Sequence, residues 1–310
     1  MRTKRLVELL LGASLVVGAT GCTCPDPHVE DEANVTSAMF AEQIEMCLAN
    51  DAACAQLCRA VFALEPDVAI EKCVISALDA KSAFVEVTYL SPVDCVGGRR
   101  PGGFVEPRCR SRVAGEWLAR VATIEAASIT AFARLVRALE RFGAPARLIA
   151  AARSAILDEV IHARLTAQLA RRMGATIEAP VIVSAAEPTL AELARENAVE
   201  GQVAETFGAL LATCQAQLAP DPAVRGVFAR IAIDEARHAA LAHELAPWFD
   251  AQLDEETRAA IAAARRAAAA TIVDSFDVHV GDEDRALLGI PDAARLRVAA
   301  ARTFAALLTT

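Results

Sequence analysis

From about residue 113 the chain changes character: apolar residues recur every three or four positions, the period of an amphipathic α-helix. Four long helices follow from this spacing, over about 113–142, 146–173, 189–218 and 223–246. Gly143-Ala144-Pro145 separates the first two, and Pro220-Asp221-Pro222 separates the last two. Turns this short make each pair an antiparallel hairpin. The connection over 174–188, with Pro180 and Pro188, is long enough to cross from one hairpin to the other. The expected fold class is all-α: a four-helix bundle with one long crossover, a small cysteine-rich N-terminal module, and a C-terminal extension over 251–310 with one or two further helices, including Ala293–Leu308. Upstream, the pattern predicts two or three short helices over 35–80, a single strand-like run at Ser82–Leu90, and a Gly/Pro/Arg-rich loop over 91–112.

The helical seams carry charge where apolar residues belong. On helix 1 the seam reads Leu118, Val121, Glu125, Ser128, Phe132, Leu135, Leu139, and on helix 2 it includes Leu148, Ala155, Glu159, His162 and Leu169. On helix 3 it reads Leu193, Glu200, Val203, Phe207, Leu210, Cys214, and on helix 4 Val224, Phe228, Ile231, Glu235, His238, Leu245. These charges form an internal repeat. Glu125 matches Glu200 at an offset of 75, and DEVIH from Asp158 matches DEARH from Asp234 at an offset of 76. Residues three apart on a helix lie on one face, so Glu159 with His162, and Glu235 with His238, point at a common centre. A single Glu-x-x-His is close to chance in such a chain; two in duplicated register, each preceded by a seam glutamate, are not. Burying four carboxylates together is untenable without cations. Carboxylate and imidazole donors suit iron, or manganese. The expected metal ligands are Glu125, Glu159, His162, Glu200, Glu235 and His238. Glu196, one turn before Glu200, is a candidate extra ligand. Glu205, about 140° from Glu200 on an α-helix, is expected to pair with a basic residue instead. Asp158 and Asp234 are either acceptors for histidine N–H groups or solvated positions.

This arrangement resembles the ferritin-like superfamily of rubrerythrins, bacterioferritins and di-iron oxygenases. The resemblance covers about 135 of the 310 residues and implies two iron ions, with Glu159 and Glu235 as the carboxylates that bridge them. It leaves the activity open between an oxidase or oxygenase, needing an external electron donor, and an iron-binding or ferroxidase protein of the envelope without organic substrate; a structural lipoprotein with a vestigial site is a third reading. The only tyrosine, Tyr89, lies outside the bundle, which argues against a tyrosyl-radical generator. The lack of any C-x-x-C pair argues against a rubrerythrin-type electron donor.

The N-terminus reads as an address. Arg2, Lys4 and Arg5 precede an apolar stretch, Leu9 to Ala19, too short to span a bilayer. Ala19-Thr20-Gly21-Cys22 resembles the lipobox of bacterial lipoproteins, with an ordinary secretory signal or an uncleaved anchor as the alternatives. The expected organisation is a signal peptide over 1–21, lipidation at Cys22, a tether over 22–34, a cysteine-rich helical module over 35–112, the bundle over 113–250 and a C-terminal extension over 251–310. By resemblance to sorting rules, Thr23 after the cysteine favours the outer membrane. Export makes disulfides the expected state of Cys47, Cys54, Cys58, Cys73, Cys95 and Cys109, with Cys95–Cys109 the favoured pair and Cys214 a buried free thiol. A net charge of −9 without a basic stripe argues against nucleic-acid binding.

Overall fold

The computed structural model describes residues 28–36, 54, 57–59, 61, 70–79, 82–90, 98–105, 113–183, 186–275 and 280–308. The chain is mostly helical and divides into two compact units, one within Gly21–Val93 and one within Asp94–Thr310.

The smaller unit holds a three-stranded antiparallel sheet of β1 (His28–Thr36), β2 (Ile70–Asp79) and β3 (Ser82–Leu90), in the order β1-β3-β2. β3 is the strand expected from the sequence. Its Val85 and Val87 are buried on one face and Glu86 is exposed on the other, beside buried Leu57 and Cys58. Cys58 is disulfide-bonded to Cys73 on β2, and Cys54 is disulfide-bonded as well. Two expectations are corrected here. The polar run read as a tether contributes β1, and the region read as short helices contributes β2. β1 is an edge strand, so its ladder to β3 supplies order without an apolar alternation. β2 has irregularities between Ile70 and Lys72 and between Ala77 and Asp79, and each bulge breaks the period of two that marks a strand. Cys22, Cys47, Cys95 and Cys109 lie outside the described residues, as does the signal segment. Among the described residues no helix is long and apolar enough to cross a membrane.

In the larger unit, α1 (Ala114–Arg141) and α2 (Ala146–Arg172) form the first hairpin. α1 ends in a Schellman turn: Gly143 takes φ +71, and the Ala144 N–H donates to the Leu139 carbonyl at 2.9 Å. α2 ends in the same way at Gly174, with φ +82 and an Ala175 N–H to Ala170 carbonyl bond of 3.0 Å. The chain then runs back along α1. The Thr123 hydroxyl near the start of α1 donates to the Glu178 carbonyl at 2.9 Å, and Arg141 at its end donates to the Pro188 carbonyl. On the way β5 (Val181–Ile182) pairs with β4 (Phe104–Val105). The connection thus runs along α1 before the next helix begins.

The second hairpin begins with a capping box, in which Thr189 and Glu192 satisfy each other's backbone. Its first arm is α3 (Leu190–Glu196), a π-helical segment (Asn197–Ala204) and α4 (Glu205–Leu218); its second is α5 (Pro222–Asp250), capped by Asp221 with Pro222 in the first turn. Three further helices, α6 (Glu255–Ser275), α7 (Asp282–Leu288) and α8 (Ala293–Leu308), complete the unit. α6 packs on the π segment, and α7 and α8 pack on α4. This covers α4 on all sides, so every residue from Glu205 to Gln215 is buried. Cys214 is among them as a free thiol, its pKa pushed up to about 11 by burial. The apolar interior falls into two clusters. One lies around Trp117, Leu118, Phe207 and Phe228; the other lies around Phe132, Leu135, Leu148 and Leu245. The buried charges lie between them.

Candidate metal centre

Two overlapping groups of side chains meet inside the bundle: Glu125, Glu159, His162 and Glu235, and Glu159, Glu205, Glu235 and His238. Within each group one donor atom per residue lies within 4.8 Å of every other, and every member is buried. Glu159 and Glu235 belong to both. Each histidine turns Nδ1 towards the carboxylates. His162 Nδ1 lies 3.5 Å from Glu125 Oε2, 3.6 Å from Glu159 Oε2 and 3.4 Å from Glu235 Oε1. His238 Nδ1 lies 3.0 Å from Glu159 Oε1, 3.7 Å from Glu205 Oε2 and 3.6 Å from Glu235 Oε1.

The other ring nitrogen is held from behind. His162 Nε2 lies 3.2 Å from Asp234 Oδ2, and His238 Nε2 lies 3.4 Å from Asp158 Oδ2. Each D-E-x-x-H run therefore lends its aspartate to the histidine of the other run. With Nε2–H donating to an aspartate, the neutral imidazole presents its Nδ1 lone pair to the centre. Arg237 contacts both aspartates and Arg230 contacts Asp234, supplying counter-charge at the surface of the pair. Replacing Asp234 by Asn should weaken binding at the His162 side by about 10–100-fold. Asp158→Asn should do the same at the His238 side, each read by metal titration; unchanged affinity in both would contradict this role.

The site fits cations on its own chemistry. Both oxygens of Glu159, Glu205 and Glu235, Glu125 Oε2 and both histidine Nδ1 atoms are buried without a hydrogen-bond partner. Buried polar atoms are almost always satisfied, so a cluster of orphans facing one centre has the chemistry of a site that could hold a metal ion. Their proton affinities fit the same picture. Burial, then the neighbouring carboxylates, pushes Glu125 and Glu205 well above the usual carboxylate range. Burial also pushes Glu159 and Glu235 up, but the nearby rings of His162 and His238 outweigh it and hold both below that range. For the histidines burial alone would lower the pKa; the hydrogen bonds to Asp234 and Asp158 and the closeness of the surrounding glutamates raise it instead.

Five of the six expected ligands, Glu125, Glu159, His162, Glu235 and His238, converge; Glu200 does not. Its carboxylate accepts the Arg100 backbone N–H at 3.2 Å and lies 3.8 Å from the Arg100 guanidinium. Glu205 takes the place expected for Glu200, against the expectation of a basic partner. Glu196 is also no ligand: it accepts from Arg99 Nη2 at 3.1 Å. The cause is the π segment. The Glu205 N–H donates to the Glu200 carbonyl, five residues back, so the α-helical periodicity used to lay out the seam fails here. A signal was nevertheless present in the sequence. Glu205 lies 13 residues before Leu218 and Glu235 lies 13 after Pro222, so they share a level across the hairpin turn. Glu200, five residues further away, is about 7.5 Å off that level. The expected result is that Glu205→Ala halves the metal stoichiometry while Glu200→Ala leaves it intact, as elemental analysis of the two variants would show; the reverse would restore the sequence-based assignment.

No protein-family model, curated protein or solved structure matches this chain.

Proposed function

We propose that this chain is a ferritin-like di-metal carboxylate protein that binds two iron ions, or manganese, and acts as an oxidase or oxygenase on O₂ or peroxide. The observation that carries the reading is the pair of buried ligand groups sharing Glu159 and Glu235, with their donor atoms otherwise unpartnered. Glu125 and His162 would hold one ion, Glu205 and His238 the other, and the shared pair both. Two such ions would supply the redox chemistry. The chain's own part is to fix the imidazole tautomers through Asp158 and Asp234, to keep water out through the apolar clusters on either side, and to release the protons of Glu125 and Glu205 as cations enter.

An oxygenase also needs room for a substrate. A cavity of about 360 Å³ lies beside the π segment, lined by Arg100, Phe104, Arg195, Glu196, Val199 and Glu200. Its wall and Glu205 belong to one continuous arm, and none of the converging carboxylates or histidines lines it. Oxygen uptake by the Fe(II)-loaded protein tests this. Uptake that continues when reductant and a substrate are supplied supports an oxygenase; uptake that stops once the bound iron is oxidised, whatever is added, supports a ferroxidase. For location, the N-terminal pattern supports export and a lipid anchor at Cys22 in the outer membrane. Fractionation of the Cys22→Ser variant should find it released from membranes; unchanged attachment would contradict the anchor.

A further inference from the structure

The π segment is held from outside the bundle. Arg99 is only 1% exposed, although it lies in a loop ahead of α1. Its Nε and Nη2 reach Glu196 Oε1 at 3.3 and 3.1 Å, at the start of the π segment. The next residue, Arg100, holds Glu200 through backbone and side chain, four residues further on. The segment has also made room for the arginine: a Cβ on Gly201 would stand 3.0 Å from Arg99 Nη1 and 2.7 Å from the Ala242 Cβ on α5. The loop is fixed in turn on the helix that bears Glu125, since the Ser128 hydroxyl donates to the Arg99 carbonyl at 2.9 Å. Finally, the Arg99 guanidinium lies 5.7 Å from the centre of the Phe132 ring, and that ring lies 4.9 Å from the imidazole of His238.

A π turn is rare, and a helix keeps one only where side-chain contacts favour it over the α form. Here the contacts are two consecutive loop arginines on two glutamates one turn apart. We infer that Arg99 is a positioning residue that pins the π register and so selects Glu205, rather than Glu200, as a carboxylate of the metal centre. This rests on the di-metal reading for its consequence but not for its geometry, and the two are tested separately. Arg99→Met keeps the apolar stem and removes the charge. In crystals of metal-free Arg99→Met, the Glu205 N–H should move from the Glu200 carbonyl to that of Gly201, as in an α-helix; a retained bond to Glu200 would overturn the pin whether or not the protein binds metal. In Mn(II) binding by the full chain, the wild type should take two ions, Arg99→Met one, and Arg99→Lys close to two again. Two ions bound by Arg99→Met with wild-type affinity would overturn the inference. A wild type that binds none would overturn the di-metal reading, leaving the pin to the crystallographic result. Glu196→Gln removes the anion that holds Arg99 while preserving volume; it should give the same shift in hydrogen bonding and the same loss of one ion, and it serves if Arg99→Met does not fold.

Discussion

Glu159→Ala or Glu235→Ala should abolish binding of both metal ions, not one. Each glutamate belongs to both ligand groups, so its loss takes a donor from each at once. Glu159 also reaches both histidines, with Oε1 3.0 Å from His238 Nδ1 and Oε2 3.6 Å from His162 Nδ1. A terminal ligand behaves differently: losing Glu125 or His162 should mainly weaken one ion and leave the other group complete. Removing a shared carboxylate also leaves two cations facing each other with one fewer anion between them, in a site too buried for solvent to screen the repulsion. The expected stoichiometries by elemental analysis are two for the wild type, none for either alanine variant, and about one for His162→Ala. Full occupancy in the Glu159→Ala/Glu235→Ala double variant would rule the assignment out.

The second large effect is on pH. Four groups of the centre, Glu125, Glu205, His162 and His238, hold protons more tightly than their ordinary values. A cation binding there would compete with those protons, so metal affinity should rise with pH. Proton release into weak buffer on adding Mn(II) measures that competition directly. Stability follows with opposite signs in the two states. A group raised in the folded protein contributes stability that is complete below its unfolded value and is lost as pH rises through its folded value. For these four groups the loss begins above 4.5 for the glutamates and 6.5 for the histidines. Glu159 and Glu235, held low, lose their contribution only as pH falls below 4.5. The metal-free protein should thus melt at lower temperature at pH 8 than at pH 5.5, and the gain from Mn(II) should widen over the same range. Metal uptake insensitive to pH would contradict the protonation pattern.

Much of this was legible in the sequence because α-helical periodicity is a strong signal over long segments. The helix bounds at Gly143, Gly174 and Pro222 and five of the side chains that converge, Glu125, Glu159, His162, Glu235 and His238, follow from spacing and turn residues. The failures share a cause: each lies where the local period departs from the ideal. The π segment turned Glu200 towards Arg100 and brought Glu205 into the centre. The bulges in β2 hid a strand of ten residues. Arg99 gave no sign at all, because a loop arginine between glycines and prolines reads as a solvated charge. Its burial depends on Gly201, Glu196 and Phe132, which are distant in the chain and meet it only in the fold.

The central claim, two metal ions between Glu159 and Glu235, is tested most directly by anomalous diffraction from crystals grown with Mn(II) or, anaerobically, with Fe(II). The account predicts two peaks about 3.5–4 Å apart, one bounded by Glu125 and His162, the other by Glu205 and His238, with Glu159 and Glu235 touching both. No peak inside the bundle, or a single ion away from these six residues, would contradict it.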